Sequence, residues 1–77
     1  MFKPGNLKLS IVRAILLHEG CNHIRTNGGH EIWSRKDLLR CITIQTHIDP
    51  VPGFIVQQIM RALDLKKVDM EKLIKEL

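Results

Sequence analysis

The chain has 77 residues, of which 44% are hydrophobic and 26% charged, and its formal net charge is +4 with histidine neutral. This length allows one small domain, residues 1–77, without room for a deep substrate cavity. Any site should therefore be a shallow surface that contacts a large ligand. The longest apolar run, residues 14–17, is far too short for a membrane span or a signal-peptide core, and we expect a cytoplasmic protein.

The positive charge is concentrated in the first part of the chain. Residues 1–47 contain seven basic and three acidic residues, whereas residues 48–77 contain five of each. An anionic polymer such as RNA would be attracted to the elements that residues 1–47 form. An ordinary solvated surface can carry the same excess, so the charge alone leaves the function open.

Apolar residues at helical spacing predict a first helix over about residues 7–19. Leu9, Val12 and Leu16 recur on one side of this helix, and Gly20 is a stop signal after it. We expect the apolar stripe to pack into the core.

Three strands are predicted next, over about residues 21–26, 30–35 and 39–45. Asn27-Gly28 favours a hairpin between the first two, because both residues tolerate the positive φ of a type I′ turn. In that register the opposed pairs are Arg25 with His30, His23 with Ile32, and Cys21 with Ser34. All six residues would share one face of the sheet, where an imidazole beside a guanidinium is suited to binding phosphate.

Two further helices are predicted after a loop. Residues 48–53 contain two prolines separated by one residue, which breaks regular structure. Apolar spacing predicts a second main helix over residues 54–63, and Asp69 can cap a short one over residues 70–77, with Val68 outside it and Leu73 packing inward. This α-β-β-β-α order with a short C-terminal helix is an α+β plan, in which helices cover one face of a three-stranded antiparallel sheet.

The two cysteines, Cys21 and Cys41, are predicted to be free thiols. They fall at the first and third strands, which are not neighbours in a meander and are too far apart for a disulfide. Free thiols are typical of a reducing compartment. A zinc site formed by His18, Cys21 and His23 would fit no standard ligand spacing, so we expect no metal.

A set of spaced residues makes the chain resemble a known family. These residues are Gly20, Cys21, Arg25, Gly28, His30 and Trp33. At these positions the HicA (YcfA-like) toxins have a glycine, an aromatic, an arginine, a glycine, the catalytic histidine and an aromatic. Residues 55–65 resemble the family's second helix and residues 69–77 its terminal helix, so the resemblance covers about residues 8–77. The chain differs at Gly29, where the family has serine or threonine, at Cys21, and at residues 35–38, which lack a Pro-Asp-Gly turn.

The resemblance implies a fold like that of double-stranded-RNA-binding domains and cleavage of mRNA without a cofactor. It also implies inhibition by a HicB-like antitoxin, and it makes His30 the catalytic residue. RNA carries its own nucleophile, the 2′-hydroxyl, and a histidine that exchanges protons near neutral pH can activate it without metal. We expect Arg25 to contact the phosphate, because its planar fork matches phosphate oxygens.

Other residues are candidates for secondary roles. Arg35 and Lys36 are predicted to contact the RNA backbone, while His23 and His47 are candidates for the acid that protonates the leaving group. His47 follows the third strand, where members of the family often carry a further histidine. Trp33, opposite in parity to His30, is expected in the core rather than as a platform for base stacking.

Two other functions are compatible with the sequence. One is a non-catalytic RNA-binding module, or a degenerate toxin, on the same fold, and the other is a protein-interaction domain with a basic face for an acidic partner. Gly29 slightly favours both, because it removes a hydroxyl that would orient His30. RNA cleavage in the presence of a chelator would separate the toxin from the two alternatives, which salt-dependent RNA binding would separate from each other.

Overall fold

Three helices and three strands follow one another in the order α-β-β-β-α-α, in a computed structural model that describes residues 7–77. The elements are α1 Leu9–His18, β1 Asn22–Asn27, β2 His30–Ser34, β3 Ile42–Gln45, α2 Gly53–Ala62 and α3 Lys67–Glu76. The strands form one antiparallel sheet with β2 in the centre. The predicted α+β architecture with a three-stranded antiparallel sheet is therefore confirmed. Lys3, which contributes to the basic excess of residues 1–47, lies outside the described residues.

The core lies between the helices and one face of the sheet. Along β2 and β3 the apolar residues that face the helices are Trp33, Ile42 and Ile44, and all three are buried. They join buried residues of all three helices, including Val12, Ile15, Leu16, Val56, Ile59, Met70 and Leu73. The predictions that the apolar stripe of α1, Trp33 and Leu73 belong to the core are confirmed. None of the helices in residues 7–77 is long and apolar enough to cross a membrane.

The opposite face of the sheet is open. His30 on β2 is exposed, as are Thr43 and Gln45 on β3 and Arg25 and Asn27 on β1. The strand pairs Asn27–His30 and His30–Gln45 place these side chains on a common face. We call this surface the open face. Its exposed side chains are polar, with the half-buried Ile32 between Arg25 and Thr43, so this face is suited to a large polar ligand.

The hairpin turn is centred one residue later than predicted. Asn27 pairs with His30, so the two turn residues are Gly28 and Gly29. Gly28 has a φ of 62°, whereas Gly29 lies outside the left-handed region. A positive φ at the first turn residue alone is the pattern of a type II′ turn, so the predicted type I′ turn at Asn27-Gly28 is wrong.

The shifted turn and a β-bulge change the register of β1. Arg25 pairs with Ile32 and not with His30, and the bulge between His23 and Arg25 pairs His23 with Trp33. The predicted pairing of His23 with Ile32 is therefore wrong, because the extra residue of the bulge moves His23 to the other face. Ser34 pairs with Asn22, so its predicted pairing with Cys21 is also wrong.

Contacts from distant residues fix the ends of the helices. The backbone N–H of Leu9 donates to Oδ1 of Asp49 at 3.0 Å, so α1 begins at Leu9, inside the predicted range. Asp69 accepts a hydrogen bond from the backbone N–H of Lys66 at 2.9 Å and lies in the first turn of α3. The prediction that Asp69 precedes this helix is wrong, because a carboxylate can bond back to the cap from the third helical position as well.

The two cysteines are separate, as the order of the strands requires. Cys21 is buried just before β1, and Cys41 is exposed just before β3. Both are free thiols, which confirms the prediction. Burial is the main cause that raises the pKa of the Cys21 thiol above its ordinary value.

Candidate functional site

His30 is the first residue of the central strand and lies on the open face. It is paired with Asn27 on one side and Gln45 on the other, so its backbone is held from both neighbouring strands. Its side chain is exposed, while Trp33, three positions later, is 4% exposed on the helix-covered face. The predicted orientation of both residues is confirmed. An imidazole held in this way can exchange a proton with a ligand bound on the open face.

His47 lies beside His30. The ring centroids are 6.4 Å apart, and the ring planes meet at 81°. His47 follows β3 by two positions, and its neighbour Thr46 is bonded to the hairpin turn. The backbone N–H and the hydroxyl of Thr46 both donate to the carbonyl of Gly29, at 2.7 Å and 3.1 Å. These two hydrogen bonds bring the turn after β3 against the tip of the hairpin.

Gly29 leaves the space that the His47 ring occupies. A Cβ atom at position 29 would lie 2.7 Å from Nδ1 of His47, which is closer than any ordinary contact. The backbone at Gly29 does not require glycine, because its φ is outside the left-handed region. At Gly28 the reverse holds, since its φ is positive and a Cβ there would have open space. The absence of a side chain at position 29 therefore leaves room for the His47 ring in its observed position, whereas position 28 favours glycine because of its positive φ.

Arg25 is the cation nearest to His30 along the strand pairing. It lies diagonally across from His30 on the open face, where paired strands put side chains about 7–8 Å apart. Its guanidinium is exposed and forms no ion pair or hydrogen bond with another side chain within residues 7–77. It is thus available to a phosphate, although not directly opposite His30.

Arg35 and Lys36 are remote from this pair of histidines. Arg35 follows His30 by five positions, or about 17 Å of strand at about 3.4 Å per residue. Its guanidinium donates to both carboxylate oxygens of Asp37, at 2.6 Å and 3.0 Å, and to the carbonyl of Glu19 at 2.8 Å. The hydrogen bonds from Arg35 lower the pKa of Asp37. Arg35 therefore ties the end of α1 to the turn after β2, whereas Lys36 is exposed.

His23 lies on the face opposite to His30. Its ring centroid is 5.5 Å from that of Trp33, and its Nε2 is 2.9 Å from the hydroxyl of Thr26. The structure does not bring His23 together with His30, because the bulge in β1 reverses its orientation. Of the predicted candidates, His30, His47 and Arg25 thus lie on one surface.

A partly buried ion pair lies directly behind His30. Glu31, 9% exposed, accepts a hydrogen bond from Nε of Arg13 at 3.1 Å, a second from Nη2 of Arg13, and one from Nε1 of Trp33 at 3.1 Å. The hydrogen bonds from Arg13 are the largest cause that lowers the pKa of Glu31, against the opposing effect of burial. This cluster attaches the central strand to α1. No local sequence pattern reveals this cluster, because Arg13 and Glu31 are 18 positions apart.

The described part of the chain offers no metal centre. Within residues 7–77 no three His, Cys, Asp or Glu side chains are grouped so that they could hold a metal ion. The groups that the open face does offer are imidazole, guanidinium, amide and hydroxyl. Their chemistry is proton transfer and hydrogen bonding to an anion.

Comparison with known proteins gives no assignment. The chain matches no protein-family model, and no curated protein or solved structure is significantly similar to it.

Proposed function

We propose that the chain is a HicA-like endoribonuclease, the toxin of a toxin–antitoxin pair, which cleaves mRNA in the cytoplasm without a metal ion. The observation that carries the proposal is the exposed imidazole of His30 on the open face. His30 is held in the central strand, and Arg25 lies on the same face. A surface of this shape admits a long polymer, whereas a small substrate would be poorly enclosed.

The order of the elements supports the same proposal. A helix, three antiparallel strands and a further helix are what a fold like the double-stranded-RNA-binding domain requires, and this chain has those elements in that order. The proposal includes that fold likeness. The third helix, α3, follows where the resemblance to the HicA toxins calls for a terminal helix.

The chemistry requires one proton acceptor and one cation near the cleaved bond. His30 takes the proton of a ribose 2′-hydroxyl, and the 2′-oxygen then bonds to the adjacent phosphorus. The bond from phosphorus to the 5′-oxygen breaks, which leaves a 2′,3′-cyclic phosphate and a 5′-hydroxyl once that oxygen is protonated. Arg25 stabilises the negative charge that grows on the non-bridging oxygens.

A non-catalytic RNA-binding module is the second candidate. It is favoured by the polar residues that surround His30 on the open face, namely Arg25, Asn27, Thr43 and Gln45. Such side chains can hydrogen-bond to phosphate and sugar without any reaction. In this alternative the open face contacts RNA, but no proton is transferred and the RNA is not cleaved.

The test is incubation of the purified protein with a long single-stranded RNA in excess chelator. The proposal predicts fragments that end in a 2′,3′-cyclic phosphate and a 5′-hydroxyl, and no cleavage of DNA of the same sequence, which lacks the nucleophile. Intact RNA that binds with strong salt dependence would instead establish the binding module. If the protein neither cleaves nor binds RNA, a protein-interaction domain is the remaining function.

A further inference from the structure

Two imidazoles meet at the tip of the hairpin, although 17 positions separate them in the chain. The centroids of His30 and His47 are 6.4 Å apart, and both side chains are exposed on the same side of the molecule. A ring nitrogen transfers a proton over a distance of about 2.6–3.2 Å to the oxygen. A phosphate group placed over the pair can therefore contact both rings at once.

The fold holds His47 at this place through bonds on both sides of it. Before it, Thr46 donates two hydrogen bonds to the Gly29 carbonyl. After it, Asp49 accepts the backbone N–H of Leu9 at 3.0 Å. Val51 then donates its own backbone N–H to the carbonyl of Leu7 at 2.7 Å. The loop that carries His47 is thus attached to the hairpin turn and to the start of α1.

Gly29 supplies an independent observation. The missing side chain at this position is not a backbone requirement, and the space it leaves is filled by the His47 ring. A serine or threonine, as in the HicA toxins, would bring its Cβ within 2.7 Å of Nδ1 of His47 in the present arrangement. The difference from the family at position 29 is therefore linked to the position of a second imidazole beside His30.

We propose that His47 is the second proton-transfer group of the site, and that Gly29 is the residue that admits it. The inference rests on the proposed RNA cleavage and assigns its remaining step. His30 removes the 2′-proton, the bond from the 2′-oxygen to phosphorus forms, and the bond from phosphorus to the 5′-oxygen breaks. His47 gives its proton to that departing oxygen. After the reaction His30 carries an added proton and His47 lacks one, and proton exchange with solvent restores both rings.

A change of leaving atom tests the assignment of His47. A cleavage site is first mapped in a long RNA, and two synthetic RNAs are then made with oxygen or sulfur as the bridging 5′-atom at that site. A departing thiolate needs no proton, so only the oxygen substrate depends on a general acid. We expect His47→Ala to slow cleavage of the oxygen substrate by about 10²–10⁴-fold and to cleave the sulfur substrate at close to the wild-type rate.

His30→Ala and His18→Ala are the matched variants. His30→Ala should be slow on both substrates, because it lacks the base, and His18→Ala, at the end of α1, should cleave both normally. The inference is wrong if His47→Ala cleaves the oxygen substrate as fast as wild type, or if sulfur restores nothing. If wild type cleaves no RNA, the proposed function fails and this inference fails with it. Cleavage by wild type and His47→Ala alike overturns the inference alone.

Gly29→Ala tests the role of the glycine, with His18→Ala as its control. The added Cβ at position 29 should displace the His47 ring, slow the oxygen substrate as His47→Ala does, and be rescued by sulfur. Adding Gly29→Ala to His47→Ala should cause no further loss. His18→Ala, at the end of α1, should keep the activity. The role of Gly29 is disproved if Gly29→Ala leaves both cleavage and the imidazole NMR signals of His47 unchanged.

Discussion

His30 and Glu31 are neighbours in β2, but their side chains lie on opposite faces of the sheet. The His30 side chain is exposed on the open face, so its removal takes away little packing. Glu31 points the other way, and its carboxylate is buried against Arg13 and Trp33. Substitutions in the same strand can therefore separate activity from stability.

Replacing Glu31 by glutamine should make the protein less stable and less sensitive to acid. The hydrogen bonds from Arg13 lower the pKa of Glu31 in the folded state. The stabilisation that the ionised Glu31 carboxylate gives the folded state is therefore complete above the ordinary glutamate pKa of about 4.3. It is lost as the pH falls through the lower pKa that Glu31 has in the folded state. We expect Glu31→Gln to reduce the free energy of unfolding by about 1–2 kcal/mol near neutral pH, since Arg13 keeps some contact with water.

Urea unfolding at neutral and acidic pH measures this effect. The curves of wild type and Glu31→Gln should approach each other as the pH falls below about 4.3, because a protonated Glu31 no longer attracts Arg13. A constant difference in free energy at every pH would show that the charge of Glu31 contributes nothing.

At the scale of elements, the site is built where the hairpin and the loop after β3 converge. Residues 46–51 carry Thr46 and His47; Asp49 attaches this segment to the first residue of α1, and Val51 attaches it to Leu7, just before that helix. This attachment is part of the packing that keeps His47 beside His30.

Local sequence patterns predicted the elements better than their registers. Apolar periodicity predicted the helices and strands, because it reflects which residues face the core. The turn was misplaced because Asn27-Gly28 and Gly28-Gly29 are both acceptable turn pairs, and local preference does not choose between them. The bulge next to His23 has no local signal either. Contacts such as Asp49 with Leu9, 40 positions apart, arise only in the assembled fold.

Asp49→Ala should destabilise the protein through the start of α1. The carboxylate accepts the first helical N–H, that of Leu9, and loss of a side-chain cap costs about 1 kcal/mol. Asp49→Asn keeps an acceptor oxygen and should recover most of the stability. Thermal unfolding of the three proteins tests the contact, and an Asp49→Ala variant with the melting temperature of wild type would contradict it.

At the scale of the whole molecule, the helices and the open face have different roles. The helices bury one side of the sheet, and the other side presents His30, His47 and Arg25 to solvent. The sequence predicted that His30 and Arg25 share this face. It did not predict that His47 touches the hairpin tip, because that contact depends on how β2 pairs with β3 and on the bonds of Thr46.

A site this exposed is easily blocked by a partner. We expect a HicB-like antitoxin, encoded beside this gene, to cover the open face with an acidic or polar surface and so prevent cleavage. Amide hydrogen exchange in the complex should show protection in β2 and in the loop around His47. Protection confined to α2 and α3 would contradict inhibition by direct occlusion.

The proposed RNA cleavage depends on His30 as a group that acts in catalysis and not in folding. The most direct measurement is cleavage of a long single-stranded RNA in chelator by wild type, His30→Ala and the control His18→Ala. We expect His30→Ala to lose about 10²–10⁴-fold in rate. It should still bind RNA, and its free energy of unfolding should change by less than about 1 kcal/mol. Equal cleavage by wild type and a folded His30→Ala would contradict the account.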